Sequence, residues 1–548
     1  MIQHKVIDGL LLRDMALAGA TLLEHNREMV DALNVFPVPD GDTGTNMSLT
    51  MQSALREINS KEFLRADEAA AALSKGALRG ARGNSGVITS QLLRGFSKAL
   101  AGVEKITPVQ FAEALKKGSE LAYKAVMRPK EGTILTVARV VADEALRQAA
   151  EKPDDYDALF NTILSSGDAI LAKTTEMLPA LKQANVVDSG GTGLMLIYRG
   201  YAAALRGEDV DSISAASSTA DADEAAMHDL DREISFIYCT SFSLRHLEEC
   251  EEGDVDSFRR RLKRMGEFVK VEGDLSEIRV HIHTNEPGLV IQHGLELGEV
   301  CDVKIDNLAE MKRRKQAAEA EAQAAKEPPK EFGMVAVSLG DGFSQIFKDL
   351  TVDVVVEGGQ TMNPSIEDIL KAINSTNAKC VFVFPDNGNV ILAAQQAAKL
   401  AEDKDVRVIP TKNVAMGIAA AVAFQPDISA DDNEARMNEA SEHVRTCTVT
   451  YAIRDSEFEG VTIKQGDIIG LHNGRIAQAG QQVHDVALNM MKDIVTEDDE
   501  LITVYYGADV SEADAQQVAD EIGAAWPNCD VECLRGGQPL YYYLIAVE

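Results

Sequence analysis

The spacing of apolar residues divides the 548-residue chain into regions of different character. In the first region, apolar side chains recur every three or four positions, which predicts helices and almost no strands. The eight predicted helices lie near residues 5–25, 45–58, 66–79, 85–101, 107–127, 131–150, 156–176 and 190–206. We therefore expect residues 1–206 to form an all-α domain.

A second region follows a stretch of small and acidic residues, 207–232, whose composition is typical of a linker. Between residues 233 and 311, strand-like and helical segments follow the order β-α-β-β-α-β. This order is the split βαβ arrangement, in which a small sheet carries its helices on one face. The sequence therefore predicts a small α+β domain here.

The third region begins after a charged, alanine-rich segment, 312–331, which we interpret as a solvated helical connector. Within 332–548, the apolar strands GMVAVS, DVVVEGG, KCVFVFPDN and VRVIPTK alternate with helical segments. Strands separated by helices predict a parallel, doubly wound sheet. Beyond it, the pattern predicts further strands, a turn-rich part around 460–480, and a helix at SEADAQQVADEIGAAW. The chain is thus predicted to be multidomain, with a C-terminal α/β domain.

Composition argues against several classes of function. With 54 basic and 87 acidic residues, the net charge of −33 would repel nucleic acids and anionic membranes. No apolar run approaches the ~20 residues of a membrane helix, and the N-terminus does not resemble a secretory signal. Seven cysteines without a CxxC pair fit a reducing compartment. We expect a cytoplasmic protein that neither binds nucleic acid nor inserts stably into a membrane.

The stretch VPDGDTGTNMS places Asp40 and Asp42 one residue apart, just before a predicted helix. A helix N-terminus favours anions such as phosphate. Two carboxylates crowded at the same place would repel each other, and a divalent cation bound between them would explain their position. Asp40 and Asp42 would supply hard oxygen ligands to Mg²⁺, which would take its other ligands from nucleotide phosphates and water. The structural alternative is an ordinary turn in which Thr45 or Asn46 caps the helix.

Three further predicted helices of the first region begin at glycine-bearing polar turns. Backbone N–H groups at such turns can bind phosphate, although the Walker A spacing is absent and each turn alone could be a simple helix cap. If the helices run up and down, alternate helix starts share one rim and could enclose one ligand. The turns contain Gly83, Asn84, Ser85 and Gly86; Gly132 and Thr133; and Asp188, Gly190, Gly191 and Gly193.

The motifs DGDTGTNM, GARGNSG and VDSGGTG together resemble the nucleotide-binding subunit of the dihydroxyacetone kinase family. The whole chain, including HIHT, GGQTMNPS, IPTK and the final GGQP, resembles the fatty acid kinase family, in which it corresponds to the ATP-binding component of a two-component bacterial enzyme. This resemblance implies an eight-helix antiparallel barrel that binds ATP or ADP through Mg²⁺, with two ions expected.

The resemblance also implies roles for individual residues. Asp40 and Asp42 match the metal-binding aspartates and are the expected catalytic residues. The expected nucleotide-binding residues are Thr45, Asn46, Gly83, Asn84, Ser85, Gly86, Thr133, Asp188, Gly190 and Gly191. In the dihydroxyacetone kinase pattern a third aspartate precedes the pair; here Asn34 is the nearest polar candidate, at a different spacing, and its role stays open.

In the second region, IRVHIHTNEPG places His281 and His283 two apart on a predicted strand, so both point to one face. Cys239 lies on another predicted strand, and these three side chains are a plausible Zn²⁺ set with an open fourth position. The alternative is two hydrogen-bonded histidines on a sheet face. The resemblance implies a metal site in this domain, with a structural role and a role in phosphoryl transfer both open.

In the C-terminal region, the loops GGQTMNPS, FPDNGN and IPTKN follow strands, where doubly wound sheets bind ligands; ordinary turn chemistry is the alternative. The resemblance implies a likeness to DegV-type lipid carriers and docking of a fatty-acid-binding partner. The expected activity is ATP-dependent phosphorylation of a fatty acid carboxylate on that partner, giving acyl phosphate and ADP. The alternatives are a dihydroxyacetone-type kinase and a non-catalytic nucleotide-sensing scaffold. We also expect a homodimer.

Overall fold

The computed structural model describes residues 5–34, 41–126, 129–208, 236–245, 252–274, 277–308, 328–359, 362–452, 456–458, 461–472 and 475–548. The chain forms two compact units, one of Met1–Ala215 with Pro329–Glu548 and the other of Ala216–Pro328. The predicted linker at 207–232 and the predicted connector at 312–331 lie almost wholly outside the described residues.

Eight long helices and two short ones make up the described part of the N-terminal region, which confirms the predicted all-α fold. The helices are α1 Gly9–His25, α2 Arg27–Ala32, α3 Thr43–Ile58, α4 Ala66–Gly80, α5 Gly83–Ala99, α6 Pro108–Ala125, α7 Ile134–Glu151, α8 Tyr156–Met177, α9 Pro179–Ala184 and α10 Ser189–Arg206. Their starts follow local chemistry; for example, Thr107 and Gln110 form a capping box with Pro108 at the first position of α6.

The long helices form a closed ring, because consecutive helices pack side by side and α1 packs against both α3 and α10. Small residues allow the closest of these contacts. A methyl group at Gly200 of α10 would lie 2.4 Å from the Cα of Gly19 of α1, so the two helices cross backbone against backbone. One apolar core runs through the ring and includes Phe111 and Phe160.

The unit Ala216–Pro328 contains a four-stranded antiparallel sheet of order β2-β3-β1-β4. Its elements are β1 Tyr238–Arg245, α11 Glu252–Leu262, β2 Gly266–Asp274, β3 Glu277–Thr284, α12 Pro287–Leu295 and β4 Glu299–Asn307. The core packs Leu262 of α11 and Val290 of α12 against Phe242, Val280 and Ile282 of the sheet. This confirms the predicted β-α-β-β-α-β domain.

The C-terminal region begins with a parallel sheet of order β6-β5-β7-β8, which confirms the predicted doubly wound arrangement. Apolar clusters cover both faces of this sheet. The elements are β5 Lys330–Ser338, α13 Asp341–Asp349, β6 Val354–Glu357, α14 Ile366–Ser375, β7 Ala378–Phe384, α15 Ile391–Leu400, β8 Asp405–Val408, α16 Val414–Val422 and α17 Ala430–His443.

A second sheet, of order β13-β12-β9-β16-β14-β15, follows and is antiparallel except between β14 and β15. Its part of the chain contains β9 Arg445–Tyr451, β10 Ser456–Phe458, β11 Val461–Ile463, β12 Ile468–His472, β13 Arg475–Gly480, α18 Val483–Ile494, β14 Leu501–Tyr506, α19 Glu512–Ala525, β15 Asp530–Arg535 and β16 Tyr543–Val547. The segment interpreted as turn-rich contains strands β11 to β13, because three to six residues are too few for a clear alternating pattern.

Among the described residues, no helix combines the length and the apolar character that crossing a membrane requires.

Candidate active site

The first residues of α3, α5 and α10 meet at one end of the helical ring. Thr43, the first residue of α3, is the common contact. The Ser189 hydroxyl, at the start of α10, donates to Thr43 Oγ1 at 3.3 Å, and the Ser85 hydroxyl of α5 donates to the Thr43 carbonyl at 3.5 Å. Three helix N-termini therefore point their positive ends toward one region, an arrangement that attracts a polyphosphate anion.

Asp188 connects a fourth helix start to this group. Its Oδ2 accepts a hydrogen bond from the Gly191 N–H at 2.6 Å, and its carboxylate also accepts one from the Ile134 N–H at the start of α7. Burial nevertheless raises the pKa of Asp188 to about 6, because desolvation outweighs these two donors. The four glycine-bearing helix starts thus lie together, with an acidic group between two of them.

We expect Asp188→Asn to remove a pH-dependent loss of stability. The folded chain holds the Asp188 proton more tightly than the unfolded chain, so stability falls as the pH rises from 3.8 through about 6. Asparagine stays neutral and can still accept from the Gly191 N–H. The variant should gain roughly 1 kcal/mol over the wild type between about pH 5.5 and about pH 7.5. Thermal denaturation at both pH values measures this, and a constant difference would contradict it.

Asp42 occupies the N-cap position of α3, but its side chain makes no capping hydrogen bond to that helix. Its Oδ2 accepts instead from the Asn363 side chain, which belongs to the loop between β6 and α14, at 2.5 Å. Thr45 and Asn46, the caps of the alternative interpretation, lie within α3 and not at its N-cap position. Asp40 lies outside the described residues.

Asp31, at the end of α2, lies at the candidate site and was missed by our sequence interpretation. Its carboxylate accepts from both the N–H of Thr45 at 3.1 Å and the hydroxyl of Thr45 at 2.8 Å. Asp31 thereby caps α3 from a different helix and engages the two Thr45 groups expected beside the phosphates. The sequence signal for Asp31 was an aspartate that precedes Asp40 and Asp42. We considered Asn34 for that role instead, and its backbone N–H donates to the Asp31 carbonyl.

Close helix packing requires the glycines at the start of α5, in addition to the phosphate-binding role predicted for them. Gly83 has a φ of 55°, and a methyl group there would lie 2.5 Å from the side-chain nitrogen of Asn46, which is 3% exposed. A methyl group at Gly86 would lie 2.4 Å from the Thr50 hydroxyl. Glycine is therefore needed for α5 to approach α3, whether or not a ligand binds.

The remaining predicted residues also lie at these helix starts. Methyl groups at Gly190 and Gly191 would lie 3.2 Å and 2.9 Å from side chains of α7, so these positions also serve helix packing. The Thr133 hydroxyl donates to the Lys130 carbonyl. The Asn84 side chain donates to the Asn389 side chain, in the loop after β7, at 2.9 Å.

In the other unit, Cys239, His281 and His283 share one face of the sheet. Cys239 pairs with His283 across β1 and β3, and Ser241 pairs with His281. The candidate ligand atoms all lie within 4.8 Å of one another, and Cys239 Sγ is 3.9 Å from His281 Nδ1. Zinc ligands bound at about 2.0–2.3 Å in a tetrahedron are roughly 3.3–3.8 Å apart, so a small inward shift of these side chains would let them hold a zinc ion.

The Ser241 hydroxyl contacts His281 Nδ1 at 3.2 Å. The His281 and His283 rings lie 5.3 Å apart, and the half-exposed Phe268 ring lies 5.0 Å from His283. If these three side chains held zinc, a fourth position would stay open for water or a substrate oxygen, which is typical of catalytic zinc sites.

Known protein families and relatives match nearly the whole chain. The DAK2 domain matches residues 37–203, and the middle and C-terminal domains of FakA-like fatty acid kinase proteins match 235–315 and 333–548. Protein YloV of Bacillus subtilis is 42% identical, over 99% of this chain and 100% of its own length. Protein SSP1546 of Staphylococcus saprophyticus is 40% identical over 99% of both chains. The DegV family protein Cg2579 of Corynebacterium glutamicum is similar to 40% of this chain and 97% of its own, with 13% identity and a TM-score of 0.32.

Proposed function

This chain belongs to the FakA-like fatty acid kinase family, and on that premise we propose that it transfers the γ-phosphoryl group of ATP to the carboxylate of a fatty acid. We further propose that a separate fatty-acid-binding protein presents this carboxylate. The observation that carries the proposal is the convergence of the α3, α5, α7 and α10 N-termini around Thr43 and Asp188.

The residues at this convergence fit a nucleotide bound with a divalent cation. Helix N-termini supply N–H donors to phosphate oxygens. Asp42 supplies a carboxylate at the start of α3 that is not used to cap its own helix, and it is the proposed Mg²⁺ ligand together with Asp40. Mg²⁺, when bound, neutralises charge on the phosphates.

The proposed reaction requires no general base. A fatty acid carboxylate is already ionised at neutral pH, so its oxygen forms a bond to the γ-phosphorus while the bond to the β-phosphate oxygen breaks. The products are acyl phosphate and ADP, and no proton is transferred. The residues of this chain then act by positioning and electrostatics, which suits a site of glycines, hydroxyls and carboxylates.

The zinc site is proposed separately, because its three ligands lie in the other compact unit. Cys239, His281 and His283 would hold the ion, which would supply a Lewis acid at its open fourth position. Whether its role is structural or catalytic is decided by the activity of a zinc-free protein that remains folded.

Labelled acyl phosphate is the expected product when the purified chain is mixed with Mg²⁺, γ-labelled ATP and a fatty acid loaded on a fatty-acid-binding protein. The methyl ester of the same fatty acid is the matched control, since it lacks the nucleophilic oxygen and should give no labelled product. Phosphorylation of dihydroxyacetone instead would favour a dihydroxyacetone-type kinase. ATP that binds but is never consumed would favour a nucleotide-sensing scaffold.

A further inference from the structure

A loop of the C-terminal α/β region reaches the helix start that carries Asp42. Asn363 lies in this loop, between β6 and α14, and is 1% exposed. Its side-chain nitrogen donates to Asp42 Oδ2 at 2.5 Å. The two residues are 321 positions apart in the chain, so the contact exists only because the C-terminal region docks on the helical region.

Several independent contacts hold this loop in place. The Arg82 guanidinium donates to the Asn363 carbonyl at 2.8 Å and pairs with Asp368 at 3.5 Å. The Ile366 N–H donates to the Ala81 carbonyl at 3.1 Å. Ala81 and Ile366 also belong to one fully buried apolar cluster. The position of Asn363 is therefore determined by a packed interface and not by its own side chain alone.

The loop also lies at the edge of the parallel sheet where ligands are expected. Asn363 follows β6 and Asn389 follows β7, so both stand at carboxyl ends of parallel strands. The Asn389 side chain accepts from Asn84, at the start of α5. The ligand-binding edge of the sheet thus faces the helix starts of the proposed nucleotide site.

The side-chain oxygen of Asn363 is buried and has no hydrogen-bond partner among the described residues. Burying such an oxygen without a partner is unfavourable, so a native protein normally satisfies it. A methyl group at Gly83 would lie 3.3 Å from the Asn363 side-chain nitrogen and 2.5 Å from that of Asn46, so the two amides meet at the α5 turn. Amide and carboxylate oxygens together are the hard ligands that divalent cations prefer.

We propose that Asn363 is part of the metal–nucleotide site: its NH₂ group orients the Asp42 carboxylate, and its Oδ1 ligates the divalent cation that Asp42 holds. This inference rests on the proposed function, because it takes Asp42 to be a metal ligand. The site is then complete only when the C-terminal region is docked, so this region contributes a ligand in addition to any docking role.

Manganese binding in the presence of ADP tests this without depending on turnover. Free Mn²⁺ can be counted by electron paramagnetic resonance while it is titrated into the full chain with ADP. Asn363→Ala is expected to weaken Mn²⁺ binding by roughly tenfold or more, as loss of a ligand or of its supporting contact does at other metal sites. Asn363→Asp restores a ligating oxygen and should bind Mn²⁺ more tightly than Asn363→Ala.

The Asn363→Asp variant distinguishes a metal-ligand role of Asn363 from a purely structural one. If Asn363 only donated a hydrogen bond to Asp42, an aspartate there would repel Asp42 and bind Mn²⁺ no better than the alanine variant. Asn374→Ala is the control, since it removes an exposed asparagine side chain of α14, and its Mn²⁺ affinity should equal that of the wild type. Melting curves of all variants report whether each is folded.

The Mn²⁺-binding results differ according to whether only this inference is wrong or the proposed function is wrong as well. If the wild type binds Mn²⁺ and ADP, and Asn363→Ala binds them equally well, the ligand assignment is overturned and the proposed function stands. If Asn363→Asp binds no better than Asn363→Ala, the oxygen is not a ligand. If the wild type binds no Mn²⁺ with ADP, both are overturned.

Discussion

Asp42→Asn is expected to reduce ATP turnover by on the order of 10²–10³-fold without unfolding the chain. Asparagine has the shape of aspartate, and its oxygen can still accept the hydrogen bond from Asn363. It lacks the negative charge that would hold Mg²⁺ at the start of α3. Loss of charge neutralisation on the phosphates costs several kcal/mol, and each 1.4 kcal/mol is about a factor of ten in rate. ADP release with saturating ATP and lipid-loaded partner measures the effect.

Asp143→Asn is the matched control for this prediction. Asp143 is an exposed carboxylate in the middle of α7, where it pairs with Lys116 on the protein surface. Surface pairs of this kind contribute about 0–1 kcal/mol, so turnover should stay near the wild-type value. Full activity of Asp42→Asn at every Mg²⁺ concentration would show that Asp42 is not a metal ligand.

His281→Ala is expected to abolish zinc binding by the purified chain. Removing one of three protein ligands leaves two, and structural or catalytic zinc sites use at least three. The wild type should contain about one zinc ion per chain, and the variant close to none, as measured by atomic emission after dialysis against a weak chelator. Cys239→Ser should behave in the same way, because a hydroxyl is a far weaker zinc ligand than a thiolate.

Cys301→Ser controls for the general loss of a thiol from the same sheet. Cys301 lies on β4 and pairs across the strands with Ser243, outside the group of Cys239, His281 and His283. Its substitution should leave the zinc content unchanged. Zinc retained in full by both His281→Ala and Cys239→Ser would mean that the histidines only pack on the sheet face.

Helices and strands with long, regular patterns were predictable from the sequence alone. The eight long helices were predicted because each repeats its apolar side chains over four or more turns. The split βαβ order and the parallel strands β5 to β8 followed from alternating segment types. Strands of three to six residues between 456 and 480 were missed, because so short a segment carries too few alternations.

The candidate site was predictable only in part. Glycine-bearing turns at Gly83 and Asp188 marked helix starts, since their chemistry is local. Asp31 was missed because its role depends on the angle at which α2 meets α3, which brings its carboxylate to Thr45. Asn363 was missed for the same reason at longer range, because its sequence context indicated only a polar loop after a strand.

The sequence by itself determined which segments form the long helices and the strands β5 to β8, roughly where those helices begin, and that the chain resembles a kinase family. These properties depend on residues within a few positions of one another. Only the tertiary structure decided that four helix starts share one end of the ring, that Asp31 caps α3, and that Asn363 contacts Asp42. Such contacts join residues from 14 to 321 positions apart in the chain. They form because whole apolar faces of helices and sheets pack together, and a local sequence pattern does not contain that information.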